Sequence, residues 1–271
     1  MDDASRLAEL VETWRAAVTD FVALARELPE DTWDLPTDLA GWSVRDNVAH
    51  TAHLEAVLAG APEETVEVAA ADHVTGLMGL YTEQGVLARR GRTVAELADE
   101  LETAAAKRYA ELTAEPPTDA AAAPPKTPGD VPWDVGTLLR NRPFDVWMHE
   151  QDIRRAVGRP GGYDTAACRH ALWTLGRGLP MIVGKRVAPP VGTTVRIDVP
   201  DAGETWTVVI GEDGRAAVTD PVDRPTVRIT LSAEDFVVLG GGRRDVAATS
   251  PTIEGDAGLG AAVLANLAVT P

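Results

Sequence analysis

Asp145 and His149 stand four residues apart in the stretch RPFDVWMHEQDIRRAVGRPGG, residues 142–162. On a helix, positions four apart lie one above the other on the same face. His149 also follows Val146 by three residues and precedes Ile153 by four, which sets it beside an apolar stripe. A carboxylate and an imidazole placed there need a partner, because an unpaired buried polar group is expensive. His50, in GWSVRDNVAHTAHLEAVLAG, shares a helical face with Leu54 and Val57 and should also point inward. Two histidines and one carboxylate with an open fourth position form a common catalytic zinc arrangement. Helical bundles assemble such sites from inward side chains on facing helices. The spacing by itself favours ordinary buried hydrogen-bonded residues over a metal site, because D-x-x-x-H recurs by chance.

Neighbouring residues receive plainer readings. His53 is an alternate ligand or, on balance, a helix-surface histidine, and Glu55 and Glu150 are read as solvated. Asp152 either accepts a hydrogen bond from a ligand imidazole or pairs with Arg155 or Arg159. His73 and His170 carry no assigned role. Cys168 reads as a small buried side chain without the nearby base of a nucleophile. The segment GGGRRD, 240–245, is too irregular for a phosphate loop. Arg243 or Arg244 could reach an anionic substrate across a domain interface, against the alternative of plain surface charge.

These residues need elements to position them. Leu7, Leu10, Val11, Trp14, Val18, Phe21 and Leu24 recur at helical spacing over residues 4–28. A helix begins at Ser43-x-x-Asp46 and runs to Gly60. A third is expected over about 68–89, a fourth from Thr93, and a fifth over 134–158 that Pro143 kinks or restarts. Residues 114–130, rich in Pro and Ala, form a surface loop. After the glycines at 158–162 comes a helical segment near 164–183. Then TTVRIDV, TWTVVIG, GRAAVTD and TVRITLS read as short strands between turns, and helices near 232–239 and 256–268 close the chain. This order implies an α+β protein of two domains, 1–160 helical and 161–271 mixed.

Composition narrows the possible functions. The chain has 271 residues, is 45% hydrophobic and carries a formal net charge of −17. That surface repels phosphate backbones and anionic lipid, so neither nucleic acid nor membrane is an expected partner. No apolar run reaches the ~20 residues of a membrane span, and MDDASRLAEL lacks the order of a signal peptide. A single cysteine rules out an internal disulfide framework and suits the cytoplasm.

GWSVRDNVAHTAHLE together with RPFDVWMHEQDIRRAVGRPGG resembles the mycothiol-dependent maleylpyruvate isomerase family, within the DinB-like superfamily of metal-binding four-helix bundles. The closing TIEGDAGLGAAVLANLAV resembles the end of that family's small C-terminal domain, which is similar to a sterol-carrier fold. The resemblance implies a DinB-like bundle followed by a sterol-carrier-like α/β domain. It also implies a divalent metal, zinc by preference, on His50, Asp145 and His149, with mycothiol as the thiol. Where this chain has Asp145, members that isomerise tend to have Glu. The implied reaction is addition of a thiolate to a conjugated cis double bond, rotation, and expulsion of the thiolate. A mycothiol S-transferase and a non-catalytic, metal-stabilised ligand-binding protein are the alternatives.

Overall fold

In a computed structural model, residues 2–270 are described, and they fall into two compact units that divide after Cys168. The first unit is helical. Its long helices are α1 (Asp3–Arg26), α2 (Val44–Leu58), α4 (Val94–Ala114) and α5 (Val135–Ala156), with the shorter α3 (Gly76–Leu87) lying against α2. α1 packs on α4 and α5, and α2 packs on α4 and α5, closing a four-helix arrangement. The apolar stripe of α1 (Leu7, Leu10, Val11, Trp14, Phe21) is buried. Each such side chain contributes roughly 1.5–3 kcal/mol on leaving water.

Helix starts follow the local chemistry. Ser43 and Asp46 form a reciprocal capping box at α2, and Thr93 and Glu96 form another at α4; each satisfies backbone N–H groups that the first turn leaves unpaired. Asp134 accepts from the backbone N–H of Thr137 to start α5. α5 runs through Pro143 as one helix rather than restarting there, so Arg142, Asp145 and His149 share it. The third helix is shorter than its sequence pattern suggests. Residues 68–75 are not helical, and Gly76 opens α3 with φ of +64°, a left-handed conformation that a continuous helix cannot accommodate.

The second unit holds most of α6 (Ala166–Gly176), the single turn α7 (Leu179–Met181) and a five-stranded sheet. The strands are β1 (Thr194–Val199), β2 (Glu204–Ile210), β3 (Ala216–Thr219), β4 (Val227–Thr230) and β5 (Thr252–Gly255), in the order β3-β2-β1-β4-β5. β1 pairs parallel with β4, and every other pair is antiparallel. α8 (Ala233–Gly240) follows β4, and its Phe236 stacks on Trp206 of β2 at 5.0 Å between ring centroids. α9 (Ala257–Ala265) packs on β4 and β5. The alternate residues Val195, Ile197 and Val199 of β1 are buried, as the two-residue period of a strand requires. Among the described residues no helix is long and apolar enough to cross a membrane.

Candidate metal centre

α2 presents His50 and α5 presents Asp145 and His149, and one possible ligand atom from each lies within 4.8 Å of the others. His50 Nε2 is 3.6 Å from Asp145 Oδ2, and His149 Nε2 is 3.7 Å from Asp145 Oδ1. Both separations exceed a good hydrogen bond. They suit neighbouring ligands of one tetrahedral ion, which at bond lengths of about 2.1 Å sit roughly 3.4 Å apart. The two imidazoles are buried, whereas the Asp145 side chain is 21% exposed, so the cluster meets solvent at the carboxylate.

Hydrogen bonding fixes which histidine nitrogen faces the cluster. Asn47 Nδ2 donates to Thr37 Oγ1 and to the Ser43 carbonyl, leaving Asn47 Oδ1 as an acceptor 2.9 Å from His149 Nδ1. His149 therefore carries a proton on Nδ1, with Asp152 Oδ2 as a further acceptor at 3.4 Å. Its Nε2 is turned toward Asp145. This is the outer support that metal-ligating histidines use. Asp145 Oδ2 and His50 Nδ1 are buried and lack a hydrogen-bond partner.

Electrostatics distinguish the three groups. Burial, reinforced by charge on His149, depresses His50 to about 4, so its imidazole is neutral and able to ligate. Burial alone would raise Asp145, but Arg142 beside it and the two histidines hold it well below the usual carboxylate range. His149 moves upward because Asp145 and Asp152 outweigh the effect of burial. Two imidazole nitrogens and one ionised carboxylate are a donor set that zinc accepts.

Two aromatic contacts wall the cluster. The Trp42 ring lies 4.9 Å from His50 and 5.9 Å from His149, centroid to centroid. Its Nε1 donates to Glu83 Oε2 at 2.8 Å, and Glu83 is buried on α3. His73, given no role from sequence, stands 3.4 Å from the same Glu83 oxygen and closes over Gly41. A Cβ at Gly41 would come within 2.5 Å of that imidazole, and the φ of +80° there also favours glycine.

Several sequence expectations need correction. His53 is not on the surface: it is fully buried, with Nδ1 3.4 Å from Arg89 Nη1 and its ring near Tyr81. Glu55 and Glu150 are not solvated but buried, Glu55 among Trp14, Arg108 and Arg142, and Glu150 against Arg154. Both errors on α2 have one cause: α3, α4 and α5 all pack on that helix, so it has almost no wet face. Asp152 stands 3.4 Å from His149 Nδ1 and pairs with Arg155, while Arg159 pairs with Glu27 instead. Cys168 is buried. His170 lies beside Trp173. Arg243 and Arg244 belong to the second unit, just after α8. Arg243 is half-buried and donates to the Gly241 carbonyl and to Thr270, and Arg244 is exposed.

Arg142, Asn47 and Trp42 escaped the sequence reading. Arg142 precedes Asp145 by three residues and Asn47 precedes His50 by three, the spacing of side chains that share a helical face.

A family model described as the mycothiol maleylpyruvate isomerase N-terminal domain matches residues 14–154. Two solved structures align with nearly the whole chain. One, described as the mycothiol-dependent maleylpyruvate isomerase, has 17% identity and a TM-score of 0.57, covering 94% of this chain and 96% of that one. The other, a histidine-to-alanine mutant described under the same name, has 16% identity and a TM-score of 0.56, covering 93% and 96%. At such identities the likeness establishes the fold. No curated protein matches the chain.

Proposed function

Since the chain belongs to the mycothiol maleylpyruvate isomerase N-terminal domain family, we propose that it is a metal- and mycothiol-dependent cis–trans isomerase of maleylpyruvate type. The family is one of enzymes. The observation that carries the proposal is the convergence of His50, Asp145 and His149 from two helices, with the tautomer of His149 set by Asn47. These three residues would hold a divalent metal, zinc by preference. When bound, the metal would lower the pKa of a thiol, and mycothiol would supply the sulfur that adds reversibly to a conjugated cis double bond.

The chain's own residues do the rest. Asp145 and the two imidazoles leave at least one position of a tetrahedral ion to outside ligands. Trp42 and the buried α2–α5 interface keep bulk water away from the two histidines. Arg243 and Arg244 are proposed contacts for the anionic part of the substrate, and their test is a raised KM with kcat retained in Arg244→Ala. The chain's one cysteine is buried Cys168, outside the cluster, so the reacting sulfur is brought in from outside. A cytoplasmic location belongs to the same proposal, supported by the single-cysteine composition.

Cobalt substitution tests this reading. A cobalt form titrated with mycothiol should develop an intense sulfur-to-metal charge-transfer band, unchanged in Cys168→Ala. Turnover of a maleylpyruvate-like cis-enone should depend on the added thiol without accumulating a conjugate. Accumulated conjugate would instead indicate an S-transferase. A protein that takes up no metal, or shows neither band nor thiol-dependent turnover, refutes the proposal in favour of a ligand-binding protein.

A further inference from the structure

One buried carboxylate outside the proposed ligand set joins four helices. Glu55 on α2 has no exposed surface. Its Oε1 accepts from Trp14 Nε1 of α1 at 3.0 Å and from Arg142 Nε of α5 at 2.8 Å, and its Oε2 accepts from Arg108 Nη1 of α4 at 3.0 Å. The Arg108 guanidinium also lies 4.7 Å over the Trp14 ring. Arg142, likewise wholly buried, uses its other end differently: Nη2 stands 3.1 Å from Asp145 Oδ2. The pair is close but not aligned as a hydrogen bond, and both atoms are otherwise without one.

We propose that Glu55 is a positioning residue for the metal site, holding Arg142 by its Nε edge so that the guanidinium stands beside Asp145 without capturing its oxygen. The inference rests on the reading of His50, Asp145 and His149 as metal ligands. Its physical content is competition for one oxygen. Arginine and carboxylate favour a two-pronged ion pair, and such a pair would occupy the Asp145 oxygen that faces His50. Glu55 offers Arg142 a second carboxylate and fixes the guanidinium out of line with Asp145. It also balances charge: Arg108 and Arg142 against Glu55 and Asp145 sum to zero before any cation arrives, in a place where unbalanced charge is costly. Burial opposes the ionisation of Glu55, but Arg142 and Arg108 outweigh it and keep it ionised.

The test is zinc affinity, measured at pH 8 by competition with a chromophoric chelator, on full-length protein shown to be folded by circular dichroism. In Glu55→Gln the acceptor loses its charge and Arg142 turns to Asp145, so affinity should fall about 10- to 100-fold, the range seen when outer supports of a metal site are removed. Arg142→Met removes the competitor and should bind zinc within about threefold of wild type or more tightly. The double variant Glu55→Gln/Arg142→Met should match Arg142→Met rather than Glu55→Gln, a recovery that a purely structural role for the carboxylate does not produce. Cobalt d–d spectra should sort the same way, shifted in Glu55→Gln and restored in the double variant. Wild-type affinity in Glu55→Gln, or no recovery in the double variant, overturns the proposal. Should Glu55→Gln not fold, Arg142→Met decides alone, and a loss beyond threefold overturns it. A wild type that takes up no zinc refutes the metal reading itself, and this inference with it.

Discussion

The two units bury different chemistry. Of the seventeen buried polar or charged side chains among the described residues, fifteen precede residue 169, and the two that follow are Thr193 and Thr207. The sheet unit is closed by Val195, Ile197, Val208, Val227, Ile229 and Phe236, without a buried charge among the described residues. The bundle buries Glu55, Arg108, Arg142, Asp152 and four more ionised or ionisable side chains besides the histidines. An apolar core costs little to specify and tolerates repacking, whereas a buried charge demands its partners. The bundle's interior is therefore held to specific partners, and the sheet unit's interior to apolar packing.

That contrast can be broken in order of expected effect. His149→Ala should cut zinc affinity by about 100-fold or more, since it removes a ligand where outer supports alone are worth 10–100-fold. Elemental analysis after metal-replete expression would read it, and equal metal content in variant and wild type would refute the assignment. Ile229→Ala, in the sheet core, should cost about 2–5 kcal/mol of stability and leave zinc stoichiometry alone. Urea unfolding followed by the Trp206 environment, paired with metal analysis, checks both halves. Gly85→Ala should destabilise the bundle by about 1–3 kcal/mol, because the new Cβ would lie 2.1 Å from the His53 ring. Thermal melts of the metal-free form would show it, and an unchanged midpoint would mean that His53 can move aside.

The mildest effect concerns pH. Burial, with the charge on Arg89, depresses His53 to about 3. Above its ordinary value of 6.5 the imidazole is neutral whether the chain is folded or not, so its stabilising contribution is fully present. As pH falls from 6.5 toward 3, the unfolded chain takes up a proton that the fold refuses, and stability is lost. The melting temperature of chelator-treated protein should therefore decline between pH 7 and pH 5, less steeply in His53→Gln. A matching slope in the two proteins would remove His53 as the cause.

How much was legible in the sequence depended on whether a signal was local. The Ser43–Asp46 capping box and the Asp145–His149 spacing involve residues within one or two turns, and both are found as read. Glu55 was misread because periodicity assumes that a helix has a wet side. α2 lacks one, a property of α3, α4 and α5 and not of α2's own residues. β5, four residues long and paired only with β4, is too short to show alternation, and it went unseen. The late start of the third helix turned on one left-handed glycine, Gly76, within an otherwise helical pattern. Arg142 was overlooked because a lone arginine on a helix ordinarily lies at the surface.

The convergence on Glu55 also bears on how the bundle comes together. Its donors lie 41, 53 and 87 positions away in the chain. No hairpin of adjacent helices can satisfy it, and a bundle with any one helix undocked leaves a desolvated carboxylate or a desolvated guanidinium behind. Such contacts are slow to reach, because long loops must close before they reward the chain. The same side chain thus acts as a proofreading step on assembly: misregistered or three-helix packings are penalised, and the arrangement of Arg142 beside Asp145 takes shape only when the last helix has arrived.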